Sequence, residues 1–542
     1  MPEQLPVTLG FWLLALVPLA ALLVLLVWLR WTAAQAGAVG FFIGSIIAWL
    51  AFQSGFEVIS VATAKGIWDA IFILYVVWPA LLLYEVTEKA GAFDVFRVGI
   101  ERYTKSRLLL VLAFGWVFAS FLQGIAGFGT PIAIVAPLLV GIGVNPVMAV
   151  VIPLIGHAWA NMFGTLAVGW LATIRVVDLA NPTFTAFSAA LLLWIPNLLA
   201  GLTIAWLYGR WQAVVRALPA VAVVSLVHGG GQLFLSTVNP IISNFIPATL
   251  ALGVIFAIER LPRYREAEPI ESPIFQERGE MAADGGEQEE PKMSIHLAFL
   301  PYYALVAVSL IGLLVPPINQ FLGRLEIGFP FPQVTTGFGA VTPADPEYGE
   351  FAVFTHPGTF LLVATIIGYM VFRFRGFYEK GAERNMLSGM TQNAIPASIA
   401  ILGFLTLSQI MNHAGMITVL ALGIAAVSPA IVYAFLSNFI GVLGAFMTSS
   451  NTASNILFAP LQQQTALATP GLDASRIIGA QSAGGAIGNA IAPANVVLGT
   501  GTAGIVGQEG EVLKYTLPWS AIAAGLVGLA SVILFLLGVQ LF

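Results

Sequence analysis

The chain has 542 residues, of which 58% are hydrophobic and 9% are charged, and its formal net charge is −5. A soluble protein of this length needs a charged surface, which so few ionisable residues cannot provide, so the composition predicts a membrane protein. The sequence has no basic stripe of the kind that binds nucleic acid, and the absence of Cys excludes disulfides, thiolate metal ligands and cysteine nucleophiles.

Apolar segments follow one another through the first half of the chain. Residues 9–29 are long enough to span a bilayer and lack a basic leader, which favours a first membrane helix over a cleavable signal. Residues 108–123 run into the glycine-rich sequence GIAGFGTP at 124–131, which predicts a broken element near 121–143. The other spans predicted in this half are 37–52, 67–86, 148–170, 184–208, 213–227 and 241–258.

An acidic segment at 259–292 separates this half from the next. It is rich in Glu, with Pro, Gly and Gln between the acidic residues, which is typical of a solvated linker rather than of a binding site. The predicted organisation is therefore a first membrane half at 1–258, a cytoplasmic linker at 259–296 and a second membrane half at 297–542.

The second half resumes with an apolar segment at 297–315 and a Pro- and Gly-rich loop at 316–357. A second broken element is predicted near 444–463, where small, polar or helix-poor residues at 449–455 lie between two apolar runs. Irregular backbone at membrane depth is tolerated only where it is packed in protein or lines a wet cavity, and the N-terminus of a half-helix attracts anions. We therefore interpret this break as one wall of a substrate site.

The two broken elements resemble each other. The sequence at 127–140 aligns with 450–463, and 156–164 falls opposite 484–492. The alignment pairs Asn161 with Asn489; chance similarity over so few positions is the alternative. The pattern predicts an all-α polytopic membrane protein of about 12–14 membrane segments, with two inverted repeats that contain broken helices or re-entrant hairpins.

Basic residues predict the topology. They follow the span that ends at 258, they cluster again at 373–384, and they occur at 97–107, whereas the loop at 316–357 is acidic. The positive-inside rule places the segments that carry basic residues in the cytoplasm. The linker at 259–292 is then cytoplasmic, and the loop at 316–357 and the N-terminus lie outside a cell membrane.

Small and polar residues at the two breaks are the candidate substrate-binding groups. Hydroxyl and amide groups at the second break suit a carboxylate, a hydroxyl or a cation shell, although helix capping would also explain them. These residues are Ser450, Asn451, Thr452 and Asn455. At the first break a close backbone approach to a substrate competes with tight helix packing as the explanation. The residues concerned are Gly127, Gly129 and Thr130.

Amides and imidazoles inside the apolar segments form a second set of candidates. Gln123 and Gln481 suit a substrate hydroxyl or a neighbouring backbone group, and Asn161 and Asn489 suit either a substrate or hydrogen bonds between helices. His157 lies in the middle of a span, where an ionisable residue is a functional hypothesis by default, with a buried neutral imidazole as the alternative. No pair of His has the spacing of a zinc site, and no metal or cofactor is predicted.

Two short motifs of enzymes occur, and both are weak. Residues 499–504 match GxGxxG without a βαβ context, and residues 480–484 have Ala in place of the first Gly of a nucleophile elbow. The chain is therefore not predicted to be an enzyme. An anion channel is the alternative among membrane proteins, which saturable, coupled flux with counterflow would distinguish from a carrier.

Several long motifs resemble one family over nearly the whole chain. They are AGAFDVFR at 90–97, FLQGIAGFGTPIAIVAPLLVGIG at 121–143, MNHAGM at 411–416, GAFMTSSNTASNILF at 444–458 and the run from 479 to 510. The chain is similar to the lactate permease family. This resemblance implies symport of small 2-hydroxymonocarboxylates, such as lactate or glycolate, with protons. It also implies kinship with ion-coupled carboxylate carriers, whose Ser-Asn-Thr hairpins hold carboxylate and cation.

The resemblance departs at two places in the predicted site. Members of the family usually carry Glu where this chain has Gln123, and Asn-Thr-Ala-Pro near residues 157–160. Because Gln cannot carry a proton, His157 is the first candidate for proton coupling, and His413, in the motif MNHAGM, is the second. A sodium-coupled carrier of another small organic anion is the alternative. The expected partners are a small carboxylate and the lipid bilayer, and a homodimer is one open assembly state.

Overall fold

The computed structural model describes residues 5–96, 106–265, 270–275 and 293–538, and this part of the chain is mostly helical. The basic residues Arg97, Arg102 and Lys105, and most of the acidic linker, lie outside the described residues. Ten helices in the described ranges are long and apolar enough to cross a membrane, and a pair bent by 90° forms an eleventh candidate. The prediction of an all-α polytopic membrane protein is confirmed.

The first half of the chain contains both long and short helices. They are α1 (Leu9–Leu23), α2 (Ala33–Leu50), α3 (Phe56–Lys89), α4 (Arg107–Leu112), α5 (Ala119–Ile125), α6 (Thr130–Gly141), α7 (Pro146–Ala158), α8 (Gly164–Val176), α9 (Pro182–Ser225), α10 (Gly231–Val238), α11 (Phe245–Ile258) and α12 (Pro262–Arg265). Wider π-type turns continue α1, α4 and α9 at Val24–Trp28, Ala113–Phe118 and Leu226–Gly230.

The second half continues the helical pattern around two small sheets. Its helices are α13 (Ile295–Ala298), α14 (Leu300–Leu314), α15 (Pro316–Leu322), α16 (Pro357–Phe374), α17 (Ala382–His413), α18 (Met416–Val427), α19 (Ala430–Thr448), α20 (Asn451–Ala468), α21 (Ala474–Gly488), α22 (Pro493–Thr502) and α23 (Glu509–Leu537). Its strands are β1 (Glu326–Phe331), β2 (Val334–Thr335), β3 (Val341–Thr342) and β4 (Asp345–Ala352).

Polar residues begin several of these helices inside an otherwise apolar chain. Asn145 precedes Pro146, and its side-chain oxygen accepts a hydrogen bond from the backbone N–H of Val147 at 2.9 Å. Asp473 accepts in the same way from the N–H of Arg476 at 2.9 Å. A side-chain cap followed by Pro or a good helix former is a strong start signal. These caps fix where the short helices around the site begin.

The Pro- and Gly-rich loop forms two antiparallel strand pairs. β1 pairs with β4, and β2 pairs with β3. We call residues 326–352 the β segment. It packs along the first half of α3, where the rings of Trp68 and Phe329 meet edge to face at 4.6 Å. It also contacts the start of α1, since the Phe11 and Phe338 rings lie 5.6 Å apart. The start of α1 and the β segment therefore share one face of the protein.

The broken elements form two hairpins and two broken spans. The first hairpin (107–141) is built by α4, α5 and α6, and the first broken span (146–176) by α7 and α8. The second hairpin (430–468) is built by α19 and α20, and the second broken span (474–502) by α21, a 3₁₀ turn at Asn489–Ile491, and α22. A hairpin followed by a broken span thus occurs once in each half of the chain, and the repeat itself remains a prediction. The inverted relation between the two sets remains a prediction.

The two hairpins enter the bundle from opposite ends. Beyond the first hairpin, the N–H of Asn145 donates to the carbonyl of Ile274 at 2.6 Å, at the start of the linker. In the second hairpin, the Gln463 amide donates to the carbonyl of Asp178, beyond the far end of α8. Because α7 and α8 run away from the linker, the hairpin tips point towards each other in the interior.

Helices of the two sequence halves pack tightly together. A Cβ added at Gly66 on α3 would lie 2.6 Å from the Cα of Thr406 on α17, so these helices approach to backbone contact. α2 makes a similar contact, because a Cβ at Gly37 would lie 3.3 Å from the carbonyl oxygen of Ala400. The division of the chain at 258 and 297 remains a prediction about sequence organisation.

Candidate substrate site

A cavity lies where the two hairpin tips meet the breaks of the two broken spans, and the free space in it and at its open mouth is about 450 Å³. Each of the four broken elements contributes to its wall. It is lined by Gln123, Phe128, Gly129, His157, Asn161, Thr165, Val168, Ser449, Ser450, Asn451, Thr452, Asn489 and Asn495. The structure thus gathers in one place residues that are more than 300 positions apart in the sequence.

The tip of the first hairpin is held against the break of the first broken span. The N–H of Gly127 donates to the Thr165 hydroxyl at 2.8 Å, and a Cβ at Gly127 would lie 2.6 Å from that same oxygen. Phe128 and Gly129 follow with φ values of 54° and 89°. Two successive left-handed residues reverse the chain, and only a residue without a Cβ at 127 permits this close approach.

Two amides connect the same elements deeper in the cavity wall. The Gln123 side chain donates from Nε2 to Oδ1 of Asn161 at 2.9 Å. Asn161 in turn donates to the carbonyl of Ala158 at 2.7 Å, inside the break of the first broken span. Both side chains are buried, at 5% and 7% exposure. These bonds fix the orientation of both amides.

The tip of the second hairpin presents the positive end of a helix to the cavity. Ser449 ends α19 with φ 56°, and Ser450 caps α20 by accepting from the N–H of Ala453 at 3.2 Å. The carbonyl of Ser450 also accepts from the N–H of Ser454 at 3.0 Å. The N–H groups of Asn451 and Thr452 belong to the first turn of α20, where no carbonyl of an earlier turn can accept from them. They are therefore available to a ligand.

The first hairpin offers no comparable donors at the start of α6. Pro131 has no N–H, and the N–H groups of Ile132 and Ala133 both donate to the carbonyl of Gly129, at 3.1 and 3.0 Å. The N–H of Thr130 donates to the carbonyl of Gly127 at 3.1 Å. An anion in the cavity therefore finds its backbone donors at α20 rather than at α6.

Asn451 has the least satisfied side chain in this wall. It is 2% exposed, and within the described structure neither its amide nitrogen nor its carbonyl oxygen has a hydrogen-bond partner. It lies against α21, where a Cβ at Gly485 would be 2.2 Å from its Oδ1. Because buried polar groups are nearly always bonded, these two atoms are suited to a ligand in the cavity.

His157 is the one ionisable side chain among the residues that line the cavity. Its Nδ1 lies 2.5 Å from the carbonyl of Pro153, one helical turn earlier, and the residue is 3% exposed. That contact assigns the proton of a neutral imidazole to Nδ1, which leaves Nε2 to accept or carry a further proton. A carboxylate that enters the cavity therefore meets no permanent positive charge from a side chain.

The second broken span closes the remaining side. Asn495 donates to the side-chain oxygen of Asn489, and both lie at the junction of α21 and α22. The Ser449 hydroxyl accepts from the N–H of Ala494 at 3.2 Å, which ties this junction to the tip of the second hairpin. The pairing of Asn161 with Asn489 in the sequence alignment thus corresponds to two residues on the same cavity wall.

Some predicted site residues lie outside the cavity wall. Gly127 and Thr130 flank the tip of the first hairpin without lining the cavity. Asn455 is one turn deeper in α20 and donates to the sulfur of Met162 at 3.4 Å. His413 lies at the end of α17, where its Nδ1 is 2.8 Å from the carbonyl of Gln409. These residues support the site or belong to another part of the molecule.

Gln481 belongs to a buried network between the second hairpin and α21. Its Nε2 contacts the Ser454 hydroxyl at 3.2 Å, and its Oε1 accepts from Gln462 at 3.1 Å. Gln462 also accepts from the Tyr433 hydroxyl at 2.6 Å. This network is consistent with the structural alternative for Gln481 and holds the two arms of the hairpin together.

The structure adds lining residues that the sequence pattern does not indicate. Phe128, Thr165 and Val168 lie at the cavity, although none belongs to the predicted set. Thr165 directly follows the aligned segment 156–164, so an alignment extended by one residue would have included it. Within the described ranges, no group of three or more His, Asp or Glu residues is arranged to hold a metal ion.

Comparisons with known proteins find relatives over nearly the whole chain. A family profile described as L-lactate permease matches residues 12–538. The chain is 28% identical to the glycolate permease GlcA of Escherichia coli (strain K12) over 543 residues, covering 96% of this chain and 95% of that protein. It is also 28% identical over 521 residues to an L-lactate permease of Halalkalibacterium halodurans, covering 93% of each chain.

A solved structure that superposes on most of this chain is the YdaH transporter of Alcanivorax borkumensis. The superposition covers 86% of this chain and 85% of that one, with a TM-score of 0.42 and 16% sequence identity. The family profile spans nearly all of the chain, and the related proteins are permeases rather than enzymes. The chain therefore belongs to the L-lactate permease family of membrane transporters.

Proposed function

We propose that this protein is a symporter that imports small 2-hydroxymonocarboxylates, such as lactate or glycolate, together with protons. The observation that supports this function best is the polar cavity between two hairpin tips, in a chain whose relatives are lactate and glycolate permeases. Transporters of this kind hold their substrate at broken helices in the middle of the membrane.

The cavity offers a separate partner for each polar group of such an acid. The carboxylate is placed at the N–H groups of Asn451 and Thr452, where the dipole of α20 adds to the hydrogen bonds. The 2-hydroxyl faces the amide groups of Gln123, Asn161 and Asn489, which both donate and accept.

The charge of the cavity supports proton coupling. Taking a carboxylate out of water without a countercharge costs on the order of several kcal/mol. His157 is the one lining residue that can supply a positive charge, and it does so only when it is protonated. One proton then enters with each monocarboxylate, and its loss from His157 on the far side releases the acid.

A sodium-coupled carrier is the second candidate. The observation that favours it is the unpartnered carbonyl oxygen of Asn451, next to the hydroxyls of Ser450 and Thr452. Sodium is a hard cation that binds such oxygen groups. It would neutralise the substrate as a proton does, so the two schemes differ in the ion that drives accumulation.

Purified protein in liposomes distinguishes these functions. We expect radiolabelled glycolate or lactate to accumulate when an inward proton gradient is imposed in the absence of sodium, and to show counterflow without any gradient. Accumulation that follows a sodium gradient alone would establish the second candidate. Flux that is unsaturable and lacks counterflow would identify a channel and contradict both.

A further inference from the structure

A second group of ionisable residues lies outside the cavity, where α3, α8, α17 and the β segment meet. Asp69 on α3 is fully buried, and Lys65 one turn earlier is 4% exposed. Arg175 approaches from the last turn of α8, and Tyr348 approaches from β4. None of these residues lines the substrate cavity, and the proposed transport cycle does not use them.

Asp69 is held by two neutral donors and by no cation. Its Oδ2 accepts from the Tyr348 hydroxyl and from Nε2 of Gln409, each at 2.8 Å. The Gln409 amide and the Tyr348 hydroxyl are also 2.8 Å apart. Its other oxygen, Oδ1, is buried without a partner, and in the described residues no Lys, Arg or His nitrogen lies within 4.0 Å of the carboxylate.

The nearby cations are held by aromatic rings instead. The Lys65 ammonium lies 4.6 Å from the centre of the Tyr348 ring, and the Arg175 guanidinium lies 3.6 Å from the centre of the Phe72 ring. A Cβ at Gly349 would be 2.3 Å from Nη1 of Arg175, so the guanidinium also packs closely against the backbone of β4. Cation–π contacts keep both charges close to Asp69 without forming an ion pair.

The remaining charged and titratable neighbours complete this environment. His413 on α17 lies near Lys65, and its Nε2 is buried without a partner in the described structure. His356, before α16, lies near Arg175 and has an unpartnered Nε2 as well. Asp345 of β4 also lies near Lys65. The group therefore combines two cations, two carboxylates and two imidazoles within one interface.

A carboxylate with one unbonded oxygen and no ion pair, inside a membrane protein, is a costly arrangement when it is charged. A proton on Oδ1 removes the charge and leaves both hydrogen bonds at Oδ2 in place. We propose that Asp69 is a second proton-binding site of this carrier, separate from the substrate cavity. The role of this site in coupling rests on the proposed function, because it requires transport that is linked to protons.

Two elements connect this site to the substrate cavity. α8 carries Arg175 near its end, and its kinked start, ten residues earlier, carries the cavity residue Thr165. α17 carries Gln409 and, next to it, Ser408, whose hydroxyl donates to the carbonyl of Ile456 on α20 at 2.8 Å. A change of charge at Asp69 acts on Arg175 and Gln409. Through these two residues it reaches α8 and α20, which both contribute to the cavity wall.

Infrared difference spectroscopy during a pH titration of the purified protein tests proton binding directly. In the wild-type protein, we expect a titrating carbonyl stretch of a protonated carboxylic acid. One component of this band should disappear in Asp69→Asn and persist in Glu85→Gln, which removes another buried carboxylate of α3. A band that Asp69→Asn leaves unchanged overturns the proposal, whether or not the protein transports lactate.

Transport assays then test the link to the substrate. Asp69→Asn retains the acceptor for Tyr348 and Gln409, so we expect counterflow to persist while accumulation driven by a proton gradient falls at least tenfold. Tyr348→Phe removes one donor to the charged carboxylate but keeps the ring over Lys65, so the pH dependence of exchange should shift to higher pH. Wild-type accumulation in Asp69→Asn, or an unshifted pH profile in Tyr348→Phe, overturns the role of this site in coupling.

Discussion

Asn451 is enclosed between the tip of the second hairpin and α21, and both polar atoms of its side chain have no partner in the described structure. A protein does not normally bury an amide in this way, because each lost hydrogen bond costs about 1–3 kcal/mol. A bound carboxylate would accept a hydrogen bond from the amide nitrogen of Asn451. Asn451 thus has a side-chain amide without hydrogen-bond partners, and it lies at the positive end of α20.

Replacement of Asn451 or Thr452 by Ala is expected to lower substrate affinity by about tenfold or more, because a hydrogen bond to a charged group contributes about 1.5–3 kcal/mol. The Michaelis constant for counterflow in liposomes measures this effect, with thermal stability recorded in parallel. Asn412→Ala, which changes an exposed Asn on α17, is the matched control. Full affinity in both site variants would remove the second hairpin from the substrate site.

His157→Ala is expected to lose accumulation driven by a proton gradient while still exchanging labelled for unlabelled substrate. The physical reason is that the cavity wall then holds no group that can gain a positive charge. Uptake at several external pH values, with and without a gradient, measures the two activities separately. His296→Ala, on an exposed residue of α13, should behave as wild type. A fully coupled His157→Ala variant would exclude this imidazole as the carrier of the proton.

At the scale of elements, the contact between α21 and the second hairpin tip determines the shape of the site. A Cβ at Gly485 would lie 2.2 Å from Oδ1 of Asn451, whereas a Cβ at Gly525 on α23 meets no atom within 4 Å. Ala is favoured over Gly inside a helix by up to about 1 kcal/mol, so only the clash distinguishes the two positions.

Gly485→Ala is therefore expected to raise the Michaelis constant for glycolate several-fold by displacing Asn451. Gly525→Ala should leave transport unchanged and the melting temperature equal or slightly higher. Equal kinetics in the two variants would show that the tip tolerates displacement and that Asn451 is not positioned by α21.

The broken elements can be predicted from sequence because their cause is local. Runs of Gly, Ser, Thr and Asn between apolar segments cannot continue a membrane helix, so 121–143 and 444–463 are recognisable as breaks without knowledge of any tertiary contact. The alignment of the two breaks also places Asn161 and Asn489 in equivalent positions, and both line the cavity. Here the local pattern carries the information.

The roles of the other polar residues depend on tertiary contacts, which a local sequence pattern does not reveal. Gln123 and Gln481 look alike in sequence, yet one lines the cavity and the other bonds to Gln462 and Ser454. Asp69 stands out in sequence only as a polar residue at the start of an apolar segment. Its partners Tyr348 and Gln409 are 279 and 340 residues away, so its environment follows from the packing of α3 against α17 and the β segment.

At the scale of the whole molecule, the orientation in the membrane is still a prediction. The contact between Phe11 and Phe338 places the start of α1 and the β segment on one face, as the prediction requires. Which face is external rests on the distribution of basic residues alone.

Single cysteines test this orientation, and the absence of native Cys makes each label specific. A cysteine at Ala344, an exposed residue of the β segment, should react with an impermeant reagent only from outside intact cells. A cysteine at Ala283, in the linker and outside the described residues, should react only after the membrane is opened. The reverse pattern would show that the predicted topology is inverted.

A single titratable residue, His157, lines the cavity, and this determines how accumulation depends on the membrane voltage. If one proton in total crosses with each monocarboxylate, so that Asp69 binds and releases its proton on the same side, neither the loaded nor the empty carrier moves net charge across the bilayer. A carrier that moved one net charge would gain about 2.3 kcal/mol per 100 mV of membrane voltage, or roughly fifty-fold in accumulation. We therefore expect potassium diffusion potentials of either sign to leave glycolate accumulation unchanged at a fixed pH gradient. A cell would then gather this acid in proportion to its pH gradient even when its membrane is depolarised.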